Sequence, residues 1–128
     1  MTWSFVSTVN EMSSGSAVQS YIINADGGLS APIDTVESGG DSAAFTVALS
    51  TGEVAVVNYG SGDARIIPTT SQESRFNADD APLITFPVQD GTASHPHMAL
   101  EHEKEVLIPD LVRSLSPNLP FVFLIYCP

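Results

Sequence analysis

The sequence predicts an all-β fold made of repeated sheets, and three observations carry that prediction. No stretch sustains a 3.6-residue apolar period, so no amphipathic helix is indicated. Short runs of β-branched and aromatic residues alternate with clusters of Gly, Ser, Asn and Asp, the pattern of strands separated by tight turns. A strand that closes on a polar residue recurs at Asn10, Asn58 and Asp110, about 50 residues apart.

Taken in order, residues 4–9 (SFVSTV) mix aromatic, β-branched and hydroxyl side chains and read as the first strand. A Ser/Gly turn leads to the second, residues 17–23 (AVQSYII). Asn24-Ala25-Asp26-Gly27-Gly28 then turns the chain, because Asp-Gly reaches positive φ at little cost. Residues 29–36 read as a short edge strand, since Pro32 has no N–H to give a central ladder. Residues 37–42 (ESGGDS) are a loop, and 45–49 (FTVAL) the next strand, turned by Ser50-Thr51-Gly52. Residues 53–59 (EVAVVNY) run back and stop at Gly60-Ser61-Gly62. The short strand 64–67 (ARII) is halted by Pro68, and 69–82 is a polar, aperiodic surface excursion. Residues 83–88 read as a strand with Pro87 near its end.

Ser94-His95-Pro96-His97 then enters the apolar run Met98-Ala99-Leu100, followed by a charged turn at 101–104 and a strand at 105–109. A strand pair folded back on itself brings the first strand's start and the second strand's end to one edge. His95, His97 and Asp110 are therefore expected to share a rim.

The repeat organises these elements. Residues 54–58 (VAVVN) superpose on 106–110 (VLIPD), 47–49 (VAL) on 98–100 (MAL), and 6–10 (VSTVN) fits the same frame. Four short strands per unit of about 50 residues is the signature of a β-propeller blade. Propellers close with roughly four to eight blades, whereas this chain holds about two to two and a half, near residues 3–36, 41–88 and 94–111. The expectation is an incomplete propeller over residues 1–111 and an atypical, irregular tail over 112–128 that matches no blade. An unclosed stack leaves apolar faces and strand edges bare, so self-association through open blade edges is the expected mode of partnering. A complete small β-sandwich is a further alternative, supported by length alone.

Composition narrows the function. The 128 residues, at most one domain, include four Lys and Arg against fifteen Asp and Glu, a net charge of −11. Nucleic acid and anionic lipid are excluded as expected partners, because neutralising phosphates needs clustered cations. The apolar run 121–126 is far shorter than the roughly 20 residues that span a bilayer, so no membrane partner is expected. The start of the sequence lacks the basic and apolar regions of a secretory signal, and Cys127 has no second cysteine to pair with; both fit a cytoplasmic protein. Gly60 and Gly62 do not form a phosphate loop, since no Lys-Ser/Thr follows them. No serine sits in a Gly-x-Ser-x-Gly setting, and Cys127 has no basic neighbour to activate it.

The motifs Gly39-Gly40-Asp41-Ser42, Val57-Asn58-Tyr59-Gly60-Ser61-Gly62, Ser94-His95-Pro96-His97 and Ile108-Pro109-Asp110-Leu111, in this order and spacing, resemble the lactonase-type seven-bladed β-propeller family. That family includes propeller 6-phosphogluconolactonases and fungal carboxy-cis,cis-muconate cyclases. Residues 92–97 (TASHPH) look most like fungal members. Three departures stand out. Ala43-Ala44 replaces the Pro and polar residue common in the family, and Gln89 lacks the Arg that precedes it in fungal relatives. After Pro109-Asp110-Leu111 the chain reads Val112-Arg113-Ser114 in place of Gly and a further strand, which is expected of a truncated chain with a foreign C-terminus.

The resemblance implies lactone hydrolysis or carboxymuconate cycloisomerisation, a small lactone or carboxylate substrate, and no cofactor or metal. It makes His97 the candidate general acid/base, a role imidazole suits near neutral pH. The alternative is a rim histidine bonded to a neighbouring carbonyl. His95 alternates with His97 and faces the same side, as a supporting residue with mainly structural work. Asn58 and Asp110 have two readings: substrate-binding side chains at the channel mouth, or short side chains that fix the turn beyond each strand, the latter being preferred. A metal held by His95, His97 and Asp110 is not expected, since Pro96 restricts the backbone between the imidazoles. His102, between Glu101 and Glu103, reads as solvated surface. Relatives hold substrate with arginines and a glutamate from later blades. The expected activity of this chain alone is weak or absent, and the rival reading is a non-catalytic interaction module.

Overall fold

A computed structural model describes residues 5–10, 13–70, 75–88, 91–110 and 121–126. Gln89, Asp90, Arg113 and Cys127 lie outside those residues. The described residues form ten strands in three antiparallel sheets, with a single 3-10 turn and no α-helix. The first sheet has the order β1(Phe5–Asn10)-β2(Ala17–Ile22)-β3(Asp34–Glu37). The second is a complete four-stranded blade, β4(Ala43–Ala48)-β5(Val54–Asn58)-β6(Asp63–Ile67)-β7(Leu83–Thr85). The third pairs β8(Leu100–His102), β9(Glu105–Asp110) and β10(Phe121–Tyr126), with β9 in the middle. An all-β, incomplete propeller is therefore the observed architecture.

Strand β5 is the centre of the stack. All five of its residues are buried, as its unbroken apolar sequence requires of a strand covered on both faces. Successive side chains point to opposite faces. Val54 and Val56 pack with Val18, Ala43, Ile67 and Ala81 toward the first sheet. Ala55 and Val57 pack with Leu49, Ala64, Phe86, Ala99, Val106 and Ile108 toward the third. Each fully buried valine or isoleucine here contributes about 1.5–3 kcal/mol. Strand β9 is covered on one face only, and its burial alternates: Val106, Ile108 and Asp110 are buried, and Leu107 and Pro109 half-buried.

The polar strand ends fall at equivalent places. Asn10, Asn58 and Asp110 close β1, β5 and β9, and pair with Ala17, Asp63 and Phe121 at the start of the following strands. Within this frame the sequence superposition of Val47 on Met98 is corrected. Val47 pairs with Ala55 and Leu100 with Leu107, so Val47 corresponds to Leu100, two residues further on. The physical reason is turn length. The β8–β9 turn is the two residues Glu103-Lys104, with Glu103 at φ 56°, and Glu101 and His102 belong to β8. The β4–β5 turn holds three residues, closed by the Leu49 N–H to the Glu53 carbonyl at 2.8 Å. An even shift of frame keeps every side chain on its own face.

The predicted edge strand at 29–36 narrows to Asp34–Glu37, with only an isolated bridge between Ile23 and Leu29 before it. Where no strand was expected in the tail, Phe121–Tyr126 pairs along the whole of β9 and takes the place that β6 takes beside β5.

Candidate functional site

One rim of the stack is built where the chain enters the third sheet. Before β8 begins, Pro96 forms an isolated antiparallel bridge with Asp110, which draws residues 94–97 against the end of β9. Asp110 is 3% exposed, and its carboxylate accepts hydrogen bonds from the Ser94 hydroxyl at 2.9 Å and the His95 backbone N–H at 3.1 Å. Charge-assisted bonds of this kind are stronger than neutral ones. They fix the backbone that carries both histidines.

The second sheet contributes the other wall. Gly62, at φ 70°, turns the chain from β5 into β6 and lies so close to the incoming segment that a Cβ would stand 2.7 Å from the Ser94 carbonyl oxygen. Only glycine permits that approach. Tyr59, just beyond the end of β5, is held by its N–H to the Ser42 carbonyl at 3.0 Å. Its own carbonyl oxygen lies 2.9 Å from His95 Nδ1. Its ring stacks on His95, with centroids 4.5 Å apart and planes at 26°, and meets His97 edge-on at 6.0 Å and 87°. His95 is half-buried; His97 is exposed.

The structure thus gathers His95, His97 and Asp110 at one rim, in two layers. The imidazoles lie on Tyr59, while the Asp110 carboxylate is turned away from solvent onto Ser94 and the His95 backbone. Asn58 is elsewhere, fully buried in the seam between the first and second sheets. Its Nδ2 donates to the Ser38 carbonyl at 3.2 Å and to Asp63 Oδ1 at 2.6 Å. Arg65 is committed as well: its guanidinium donates to the carbonyls of Glu37, Ala78 and Ala81 at 2.8–2.9 Å, tying β6 to the end of β3 and to the 3-10 turn. Among the described residues, no three His, Cys, Asp or Glu side chains gather closely enough to hold a metal ion.

At the opposite end of β9 is a cleft of about 310 Å³ lined by Ser50, Thr51, Glu101, Lys104 and Val106 among others. There Glu101 accepts from the Ser50 N–H and hydroxyl, at 2.6–3.0 Å, and clips the third sheet to the second. The histidines have no part in that cleft. Sequence reasoning gave no role to Tyr59 or Ser94. The available signal for Tyr59 was an aromatic residue placed one step past a strand-closing Asn, in a loop that must face the next sheet.

The chain matches the family model described as lactonase, 7-bladed beta-propeller, over residues 2–112. Among solved structures it is similar to a protein of Bacteroides fragilis described as a candidate 6-phosphogluconolactonase, with a TM-score of 0.69 and 22% identity. That similarity covers 84% of this chain and 32% of the other, so the chain spans about a third of the neighbour's length. No curated protein matches.

Proposed function

The chain belongs to the lactonase family of seven-bladed β-propellers, and from that premise we propose that it carries the acid–base part of a lactonase-type site, with His97 as the proton-transfer group. The observation that supports this reading is the pair of imidazoles assembled on Tyr59 at an open rim, one half-buried and one facing solvent. In lactone hydrolysis His97 takes a proton from water as the water oxygen bonds to the ester carbonyl. The ring C–O bond then breaks, and the same proton returns to the departing alkoxide. In the cycloisomerisation alternative, a substrate carboxylate adds to a conjugated C=C bond to close the ring, and protonated His97 delivers its proton to the carbanion so formed. In the reverse direction His97 removes that proton as the ring C–O bond breaks. Asn58 and Asp110 act as frame and not as substrate ligands, since both side chains face away from solvent onto neighbouring backbone.

Positioning and charge stabilisation supply much of an enzyme's acceleration. Arg65 cannot serve as the substrate's anion clamp while its guanidinium holds three carbonyls. Turnover by this chain alone is therefore slow, and other parts of a propeller, from a longer chain or a partner, supply the clamp. The test is hydrolysis of a δ-lactone followed by proton release. Activity that falls about a hundredfold in His97→Ala supports the role, and unchanged turnover removes His97 from the mechanism.

A second reading has its own support. Leu100 and Met98 are 54% and 43% exposed on the third sheet and its approach. This favours a module that associates with another chain through that face, and a concentration-dependent mass in light scattering is its signature.

A further inference from the structure

We propose that Tyr59 is a positioning residue that holds the two imidazoles in one working arrangement, with His95 locked as the tautomer protonated on Nδ1; the working part of this rests on the reading of His97 as the proton-transfer group. A backbone carbonyl only accepts hydrogen bonds. An Nδ1 atom 2.9 Å from the Tyr59 oxygen must therefore carry the proton. In neutral His95 the lone pair is then on Nε2, which is the one ring atom able to take up a proton.

Three contacts from one residue enforce this. The carbonyl of Tyr59 sets the tautomer. Its ring, stacked at 4.5 Å, holds the His95 plane against rotation, and its edge contact with His97 sets the angle between the two imidazoles. The backbone side of His95 is held separately, by Asp110. His95 is thereby fixed from both ends, whereas His97, exposed and touched by Tyr59 at the ring, keeps the freedom a proton-transfer group needs. Tyr59 reaches this place because Ser42 binds its N–H and because Gly62 admits the histidine segment alongside.

The experiment is long-range ¹H–¹⁵N correlation of the histidine rings in the whole chain. The wild-type protein shows a single Nδ1–H pattern for His95, with its ring protons shifted upfield by Tyr59. An Nε2–H pattern, or fast averaging between tautomers, overturns the proposal without any variant. Tyr59→Phe keeps the pattern, since ring and carbonyl both remain. Tyr59→Leu keeps the carbonyl but removes the ring that holds the His95 plane beside it. With the backbone spectrum showing the fold intact, it loses the upfield shift and the His95 ring averages between tautomers. A single fixed Nδ1–H pattern in that variant shows that the carbonyl alone suffices and overturns the positioning role of Tyr59. Should Tyr59→Leu fail to fold, the wild-type spectrum and Tyr59→Phe decide alone. Where turnover is measurable, Tyr59→Leu lowers kcat about tenfold with little change in KM, and Tyr59→Phe restores it. The two ideas fail separately: unchanged turnover in His97→Ala sinks the acid–base reading and leaves the His95 pattern standing.

Discussion

Asn58 and Asp110 end corresponding strands in adjacent sheets, are both sealed from solvent, and both grip the segment that leads into their own sheet. They do so with opposite hydrogen-bond polarity. Before the second sheet the incoming segment presents the Ser38 carbonyl, and the amide of Asn58 donates to it and to Asp63. Before the third sheet the segment presents the Ser94 hydroxyl and the His95 N–H, and a carboxylate accepts from both. The strand-end position is thus a clamp whose chemistry is dictated by what the neighbouring backbone offers. It is also where frame and chemistry meet, because at only one of the two clamps does the gripped segment carry imidazoles.

That comparison is broken most severely by exchanging the polarities. Asn58→Asp puts a second carboxylate 2.6 Å from the Asp63 oxygen and against the Ser38 carbonyl, in a site where even the native Oδ1 has no hydrogen-bond partner among the described residues. We expect a loss of about 3–5 kcal/mol in urea unfolding at neutral pH. The crowded carboxylates bind a proton more readily in the folded than in the unfolded chain, so the deficit shrinks as pH falls. A deficit that grows toward acid would contradict the clamp. Asp110→Ala follows, at about 2–3 kcal/mol, because it strands a buried hydroxyl and a half-buried N–H together. It also releases the His95 ring from its single tautomer, which Asn58→Asp, if the protein folds, does not. The smallest effect is at the far rim. Ser50→Ala weakens one exposed clip to Glu101 by at most about 1 kcal/mol and leaves both histidine spectra unchanged. A larger loss would mean that the turn end, not the histidine end, holds the third sheet in place.

Much of the architecture was legible from local pattern. The unbroken apolar run of β5 marks a strand covered on both faces, and the recurring polar residue after such runs marks the same strand in three sheets. The shared rim of His95 and Asp110 follows from hairpin geometry alone. The frame between β4 and β8 is not legible locally, because it hangs on whether a turn contains two residues or three, and Glu103 adopts positive φ without being Gly, Asn or Asp. Strand β10 escapes the repeat pattern because its apolar run follows a segment with no blade-like spacing. No local pattern marks Arg65 as a structural residue, yet three backbone carbonyls, from residues up to 28 positions away, enclose its guanidinium.

Alternation of side chains and turn residues act over a few neighbours at a time, so the order of amino acids by itself determined most of the strands, their repetition in successive sheets and the edge at which the histidines enter. Which residues meet across two sheets was decided only by the tertiary structure. Tyr59 touches a histidine 36 positions further on because β5 is packed between two neighbours, a turn glycine lets the next segment in, and a buried carboxylate holds it there. Those distances depend on packed volumes and turn lengths summed over the whole stack, which no local pattern encodes.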